Sequence, residues 1–214
     1  MKLSAKIGFF LALGVNLLFT YLKNYQVARL TVYLILVLFI LILREKLRGV
    51  RIGEAVSPIT GVFYSIMPHY FNLMILGLAN EILFLHLNIP GVLPILFISL
   101  VEEIYFRVLL YKELDKSYSK TSFLFSLFHI SLFNMNELIL SLILLMFYFS
   151  LGIVFQVLYE KHGLIACYTS HAVFNILALT YLVNLKYLCV GVIVMTSLAT
   201  ALIMRKIIYS EQFN

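Results

Sequence analysis

The sequence is poor in charged residues and in cysteine, and it contains no linker. Only 12% of its 214 residues are charged, which argues against a soluble domain. Its two cysteines, Cys167 and Cys189, form no CxxC pattern and give no support for a structural disulfide, so we expect them to be buried apolar residues. Because no Ser/Gly linker, low-complexity stretch or repeat divides the chain, we predict a single domain over residues 1–214.

Apolar residues make up most of the sequence. They account for 63% of the chain, and the mean hydropathy is +1.01. Helical spans are expected, because each segment must satisfy its own backbone hydrogen bonds in lipid and none alternates in polarity as a barrel strand does. We predict an all-α polytopic membrane protein with about eight transmembrane helices, at about 7–22, 27–43, 61–80, 91–111, 121–136, 138–158, 164–184 and 186–204. The first resembles a secretory signal, but no small-residue cleavage pattern follows it, so we expect it to remain as a span.

The basic residues indicate how these spans are oriented. If the amino terminus is cytoplasmic, 12 of the 16 Lys and Arg residues lie in cytoplasmic segments. Lys23, Arg29 and Lys186 lie on the opposite side, and Arg107 lies within a span. The positive-inside rule therefore predicts that both termini are cytoplasmic. The net charge of +6 then reflects topology and suits anionic lipid headgroups, so it predicts a lipid bilayer and no nucleic acid as a partner.

Three charges lie close together inside the fourth predicted span, at Glu102, Glu103 and Arg107. An ionisable group near the bilayer centre costs roughly 2.5 to 3.5 kcal/mol, so such groups usually mark a functional site. Glu103 and Arg107 are four residues apart on a helix and can form an ion pair, whereas Glu102 points about 100° away. Glu102 is therefore left without a partner on its own helix and is a candidate general base.

Two later spans carry histidines that could complete a site with Glu102. His129 follows Phe125 by four residues, and Asn175 follows His171 by four, so each pair shares a helix face. Counted from the predicted cytoplasmic edges, Glu102, His129 and His171 lie nine or ten residues deep, which is about 14 to 15 Å. Three helices thus carry polar groups to one layer.

These residues resemble a known family, the CAAX-protease and bacteriocin-processing (Abi) family of intramembrane proteases, which includes the Ras-converting CAAX endopeptidases. The resemblance rests on an EExxxR run at Glu102, an FxxxH run ending at His129 and an HxxxN run starting at His171, and it covers about residues 91–180. Family members often have glycine directly after the motif arginine, where this chain has Val108.

The resemblance also implies a role for each motif residue. It identifies Glu102 as the glutamate that activates water, with help from His129, and His171 and Asn175 as the pair that holds the developing oxyanion. The supporting residues would be Glu103, Arg107 and Phe125. The reaction implied is peptide hydrolysis, in which a base deprotonates water and preorganised donors stabilise the tetrahedral intermediate.

The need for a metal remains open at the level of sequence. Glu102, His129 and His171 would also satisfy a zinc site with one open position. The family has been described both as metalloproteases and as glutamate-dependent enzymes. We favour the metal-free form, because the family's structural picture assigns these residues directly to water and the oxyanion.

The leading hypothesis is thus an intramembrane endopeptidase that cuts a peptide or a small membrane-associated protein near the cytoplasmic leaflet. One alternative is a non-catalytic bacteriocin-immunity or regulatory membrane protein of the same fold, and another is a proton or ion pathway. The short chain with tight loops favours a bacterial cell membrane, where the resemblance implies bacteriocin or pheromone precursors as substrates. Prenylated protein tails fit the eukaryotic branch of the family.

Overall fold

The chain folds mainly into helices. The computed structural model describes residues 4–80, 82–85, 89–129, 138–183, 191, 193–195 and 197–202. Its elements are α1 (Ala5–Tyr21), α2 (Tyr25–Ile42), a 3₁₀ turn (Arg44–Leu47), α3 (Ser57–Leu78), β1 (Ile82–Phe84), α4 (Ile89–Glu103), a π-helical segment (Ile104–Leu110), α5 (Tyr111–Glu113), α6 (Tyr118–His129), α7 (Leu138–His162), α8 (Leu164–Ala178) and β2 (Tyr181–Val183). Further helical residues lie within 191–202.

The predicted apolar segments coincide with these helices over most of the described chain. The segments predicted to begin near residues 7, 27, 61, 91, 138 and 164 all coincide with helices, and all but the last agree with the helix bounds within a few residues. The fifth segment, 121–136, is helical from Tyr118 to His129, and the rest of it lies outside the described residues. About half of the eighth segment, with Cys189, also lies outside them. The cytoplasmic termini and the count of eight spans stay predictions.

The all-α prediction is wrong in one detail, because the described chain contains a short antiparallel strand pair. Ile82 pairs with Val183 and Phe84 with Tyr181, and the backbone N–H of Leu85 donates to the carbonyl of Thr180. The helix predicted to reach residue 184 ends at Ala178. Once a helix ends among apolar residues, its exposed backbone groups need partners, and two β-prone segments side by side supply them.

The outward face of α2 is apolar. Leu30, Leu34, Leu38 and Leu41 recur at helical spacing and are all more than half exposed, whereas the opposite face is buried. Such a leucine stripe is typical of a helix surrounded by lipid. By length and composition, Tyr25–Ile42 and Leu142–His162 are long and apolar enough to cross a membrane, and among the other described helices Ala5–Tyr21 and Leu164–Ala178 are shorter and apolar.

Helix α8 is fixed at its start and along its side by two glycines. Gly163 separates α7 from α8 with φ of 86°, and the next two backbone N–H groups donate to the carbonyls of Arg51 and Ile52. These bonds satisfy donors that the start of a helix leaves without partners. Gly61 of α3 lies so close to α8 that a Cβ there would be 2.3 Å from the carbonyl oxygen of Ala166. Close packing against α3 thus fixes the helix that carries His171 and Asn175.

Candidate active site

The helix that carries the paired glutamates changes its winding directly after them. α4 ends at Glu103, and the π-helical segment follows. Such wider turns are rare and often occur at functional sites. Arg107 lies within this segment, and its Nε atom is 3.0 Å from Oε2 of Glu103. This distance confirms the predicted ion pair, and both side chains are fully buried.

Glu103 does more than pair with arginine, because it also links α4 to α8. Its Oε1 lies 2.6 Å from Nδ1 of His171, and its Oε2 accepts a hydrogen bond from the thiol of Cys167. Cys167 is buried as expected, but its thiol is a polar contact of this network. The two carboxylate oxygens of Glu103 therefore serve three donors, which fixes His171 relative to α4.

Aromatic rings surround the buried guanidinium. The Arg107 guanidinium carbon lies 4.6 Å from the ring centre of Phe125 and 5.8 Å from that of Phe155. A desolvated cation over an aromatic face gains about 2 kcal/mol. Phe125 also contacts both histidines, with ring centres 4.5 Å from His129 and 6.0 Å from His171. The supporting position predicted for Phe125 thus lies between the ion pair and the imidazoles.

Glu102 meets groups from three other helices. The hydroxyl of Tyr33 on α2 donates a hydrogen bond to its Oε1. Its Oε2 lies 3.6 Å from Nε2 of His171 and 3.9 Å from Nε2 of His129. The structure therefore brings Glu102, His129 and His171 together, as the common depth of these residues predicted. Glu102 is 2% exposed, so these contacts are made away from bulk solvent.

The hydrogen bonds at the far side of each imidazole determine which nitrogen carries the proton. Nδ1 of His129 lies 2.8 Å from the carbonyl oxygen of Phe125, and a carbonyl only accepts, so this nitrogen donates. By the same reasoning, Nδ1 of His171 donates to the carboxylate of Glu103. A neutral imidazole then has a lone pair on Nε2. In its neutral form, each histidine thus turns an accepting nitrogen toward Glu102.

Stacking also fixes the orientation of both rings. His129 stacks on Tyr148 of α7 with ring centres 4.4 Å apart and planes 19° apart. His171 stacks on Phe155, two turns further along α7, at 4.7 Å and 23°. Each imidazole is therefore held on its face by an aromatic ring and at its Nδ1 by an acceptor, so little freedom remains for Nε2.

Asn175, the fourth predicted site residue, lies one turn beyond His171 on α8. Its amide nitrogen donates to the hydroxyl of Ser99 on α4, at 3.3 Å. An amide nitrogen carries two hydrogens, so one remains after this contact. Ser99 itself is three residues before Glu102 and fully buried. Asn175 thus extends the polar layer between α4 and α8, and its described contact is with Ser99.

Tyr33, Tyr148 and Ser99 also belong to this site, although the sequence motifs do not include them. Tyr33 had a visible signal in the sequence. The run from Val32 to Ile42 is aliphatic except for Phe39 and Tyr33, so the Tyr33 hydroxyl is its one polar side-chain group. A hydroxyl in such a run must find a partner when it is buried. For Tyr148 and Ser99 no comparable signal exists, since both stand among several similar residues on their helices.

A cavity borders the reactive groups. It has a volume of about 260 Å³ and lies between α1, α2, α4 and α6. Glu102, His129 and Tyr33 form part of its wall, together with Asn16 and Arg29. The volume corresponds to roughly nine waters at about 30 Å³ each. Water and a short stretch of peptide therefore have room beside the carboxylate.

The residues of the alternative zinc site suit that metal in kind, since zinc takes carboxylate oxygen and imidazole nitrogen. Their placement does not fit: within the described ranges, no group of three His, Cys, Asp or Glu side chains is arranged so that it could hold a metal ion. We therefore derive no step through zinc, and the metal-free site stays a prediction.

Comparison with known families shows a match over the part of the chain that carries the motifs. A family model described as "Type II CAAX prenyl endopeptidase Rce1-like" matches residues 71–177, which is half of the chain. The matched range contains the EExxxR, FxxxH and HxxxN motifs in full. A search among curated proteins gives no match. With its motifs meeting in one buried layer, the chain belongs to the Rce1-like family of type II CAAX prenyl endopeptidases, which are membrane proteases.

Proposed function

We propose that this protein is an intramembrane endopeptidase that hydrolyses a peptide bond by means of a water activated by Glu102. The observation that carries the proposal is the position of Glu102 Oε2, which lies 3.6 Å and 3.9 Å from the Nε2 atoms of two histidines and borders a cavity. A general base needs a reacting water within hydrogen-bond reach, and both the carboxylate and the cavity meet this need.

The first step would be removal of a proton from water. A water between Oε2 of Glu102 and Nε2 of His129 has two acceptors, one for each of its hydrogens. Glu102 takes a proton as the water oxygen attacks the carbonyl carbon of the substrate. Tyr33 holds the other carboxylate oxygen and keeps the base in place. His129 orients the water, because its Nδ1 is committed to the carbonyl of Phe125.

The reaction also needs a hydrogen-bond donor for the oxyanion of the tetrahedral intermediate. His171 can donate from Nε2 only as an imidazolium, because Glu103 already takes its Nδ1 proton. The Glu103 carboxylate stabilises that cation, as a carboxylate does for the histidine of a catalytic triad. The remaining amide hydrogen of Asn175 provides a second donor. Collapse of the intermediate then transfers the proton on Glu102 to the leaving amine.

We further propose a multi-pass protein of a bacterial cell membrane, whose substrate is a peptide or a small membrane-associated protein. The apolar helices and the leucine face of α2 support the membrane setting. The segregation of basic residues supports cytoplasmic termini. Cleavage would take place at the depth of Glu102, within the helical layer. Bacteriocin or pheromone precursors are the substrates that we would test first.

The direct experiment compares peptides produced by cells that express the wild-type protein or the Glu102→Gln variant. We expect one or more membrane-derived peptides to disappear in the variant, while the amount of inserted protein stays the same. Glu45→Gln serves as the matched control, because this glutamate is exposed on the 3₁₀ turn and pairs with Arg48. Unchanged peptides in Glu102→Gln would contradict hydrolysis and would favour the alternative, a binding or immunity protein of the same fold.

A further inference from the structure

A basic segment follows the second helix. α2 ends at Ile42, and residues 44–56, which we call the interfacial segment, contain four basic and two acidic side chains, a net charge of +2. The 18 residues of α2 span about 27 Å, which is close to the bilayer's hydrocarbon thickness of about 30 Å. The interfacial segment therefore begins where α2 leaves the hydrocarbon and lies at the depth of the lipid headgroups.

Hydrogen bonds fix the backbone of the interfacial segment to the helices at two places. Near its start, the ammonium group of Lys112 on α5 donates to the carbonyl of Lys46 at 2.8 Å. Further along, the carbonyls of Arg51 and Ile52 accept the first two backbone N–H groups of α8. Because the backbone is already held, a ligand that binds its side chains loses little affinity to the ordering of a loop.

Two exposed arginines of the interfacial segment have no acidic partner. The salt bridges within the described ranges involve Lys46 and Arg48 but neither Arg44 nor Arg51. One terminal nitrogen of Arg51 donates to the carbonyl of Glu160 at 2.8 Å, which holds this guanidinium in place. A guanidinium has five N–H donors, and it binds a phosphate through two parallel hydrogen bonds. Both arginines can therefore bind a phosphate from outside the protein.

Large apolar side chains lie exposed beside these cations. Ile52 directly follows Arg51, and Ile52, Val56 and Ile59 are each more than half exposed. Ile59 belongs to the first turn of α3, which begins at Ser57. Basic residues beside exposed apolar ones are typical of segments that lie in the membrane interface. The surface of the interfacial segment therefore suits a lipid, because it offers charges to the headgroup and apolar groups to the acyl chains.

We propose that the interfacial segment binds anionic phospholipids, whose phosphates contact Arg44 and Arg51 while Ile52 and Val56 lie among the acyl chains. The excess of positive charge selects a lipid of net negative charge over a zwitterionic one. With cytoplasmic termini, the segment faces the inner leaflet. This lipid site is separate from the layer of Glu102, and it does not depend on the hydrolysis proposed above.

The sequence contains no tryptophan, which allows a direct test by fluorescence. Ile52→Trp places a single fluorophore in the interfacial segment, and Leu78→Trp places one at the opposite end of α3, where Leu78 is 85% exposed. Each protein is reconstituted in bilayers of equal amounts of phosphatidylcholine and phosphatidylglycerol, and only one of the two lipids carries brominated acyl chains. Bromine quenches tryptophan at short range, so the two samples report which lipid lies beside the fluorophore.

In Ile52→Trp, we expect brominated phosphatidylglycerol to quench more than brominated phosphatidylcholine. The difference should correspond to a local enrichment of about fivefold or more, the effect of one basic residue near an anionic surface. In Leu78→Trp, the two lipids should quench about equally. Equal quenching in Ile52→Trp would overturn the lipid selection, and quenching by neither lipid would overturn the insertion. The same preference at both positions would show only a general attraction of anionic lipid and would also overturn the site.

Adding Arg44→Gln and Arg51→Gln to the Ile52→Trp protein should abolish the preference for phosphatidylglycerol. Lys23→Gln is the matched control, because Lys23 is an exposed cation at the opposite end of α2, and it should leave the preference unchanged. The unfolding temperature in phosphatidylcholine alone shows whether each variant is folded. If loss of the contact between Arg51 and Glu160 destabilises the double variant, Arg44→Gln alone decides and should weaken the preference. An unchanged preference in the folded variants would overturn the role of the arginines.

Discussion

The hydroxyl of Tyr33 donates a hydrogen bond to Oε1 of Glu102, across 69 residues of sequence. This contact joins α2 to α4 at the candidate base. Tyr33 lies outside the range 71–177 that matches the family, whereas Glu102 lies inside it. The residue that orients the carboxylate therefore comes from a part of the chain that the family match does not cover.

Replacing Tyr33 by phenylalanine should lower kcat and leave KM nearly unchanged. The variant keeps the ring but removes the donor to Glu102, and a hydrogen bond to a charged group is worth about 1.5 to 3 kcal/mol, or roughly tenfold to a hundredfold in rate. Steady-state cleavage of an identified peptide measures the effect. Tyr21→Phe is the matched control, because Tyr21 is 83% exposed. A normal kcat in Tyr33→Phe would show that the contact does not position the base.

Replacing one partner of the ion pair between Glu103 and Arg107 should destabilise the protein more than replacing both. Glu103→Gln leaves a fully buried guanidinium without its counter-charge, which we expect to destabilise the protein by about 3 to 5 kcal/mol. Combining it with Arg107→Met removes the stranded charge and should recover much of the thermal stability. Unfolding temperature in detergent is the measurement, and the exposed pair of Glu45 and Arg48 provides the control. A double variant no more stable than Glu103→Gln alone would refute this account.

Glu113 should make stability depend on pH in the acidic range. It lies beyond the predicted fourth span, and burial by itself raises its pKa, but hydrogen bonds from Lys46 and from the first two N–H groups of α1 more than offset this effect. Its pKa is therefore lowered from the ordinary value of 4.5. Because the folded state favours the ionised form, the stabilisation is complete above that ordinary value and is lost as pH falls through the lowered pKa.

We expect the unfolding temperature of the wild-type protein to fall as pH is lowered from about 5, the range set by the ordinary and lowered pKa values. Glu113→Gln should be less stable near neutral pH and should show a flatter profile on the acidic side. Glu45→Gln should follow the wild-type profile. If the unfolding temperatures of Glu113→Gln and the wild type depended on pH in parallel, the Glu113 carboxylate would not be the group that stabilises the fold at neutral pH.

The hypothesis of metal-free hydrolysis predicts that the purified protein holds far less than one zinc ion per chain. Peptide cleavage should survive treatment with a zinc chelator at concentrations that strip known zinc proteases. Elemental analysis and the cleavage assay measure the two quantities on one sample. The hypothesis would be wrong if the protein held stoichiometric zinc, and if removing the zinc abolished cleavage and returning it restored cleavage. Glu102 would then be a zinc ligand and not the residue that activates water.

The sequence was sufficient to predict much of the site. Charged and imidazole side chains are rare in apolar helices, so Glu102, His129 and His171 stand out and their depth can be counted. Helical spacing predicted the ion pair of Glu103 with Arg107, because that pair is local to one helix. The individual hydrogen bonds that cross between helices were not predictable in this way. The hydrogen bond from His171 to Glu103 depends on how α8 rotates against α4.

The strand pair was missed for a related physical reason. Tyr181 and Val183 continue an apolar run, and apolarity alone does not distinguish a last helical turn from a short strand. The helix ends at Ala178 because the following segment finds backbone partners in Ile82–Phe84. Those partners are about a hundred residues away in sequence, so no local pattern signals them.

The position of the α1–α2 hairpin has a consequence for how such a site can diversify. The base and both imidazoles come from α4, α6 and α8, while the first two helices supply Tyr33, Arg29 and most of the wall of the cavity. A chain without this hairpin, residues 43–214, would keep the reactive groups but leave Glu102 open to lipid. We therefore expect the hairpin to determine which peptides the site accepts. Grafting the hairpin of another member onto residues 43–214 should transfer peptide preference without altering the chemistry.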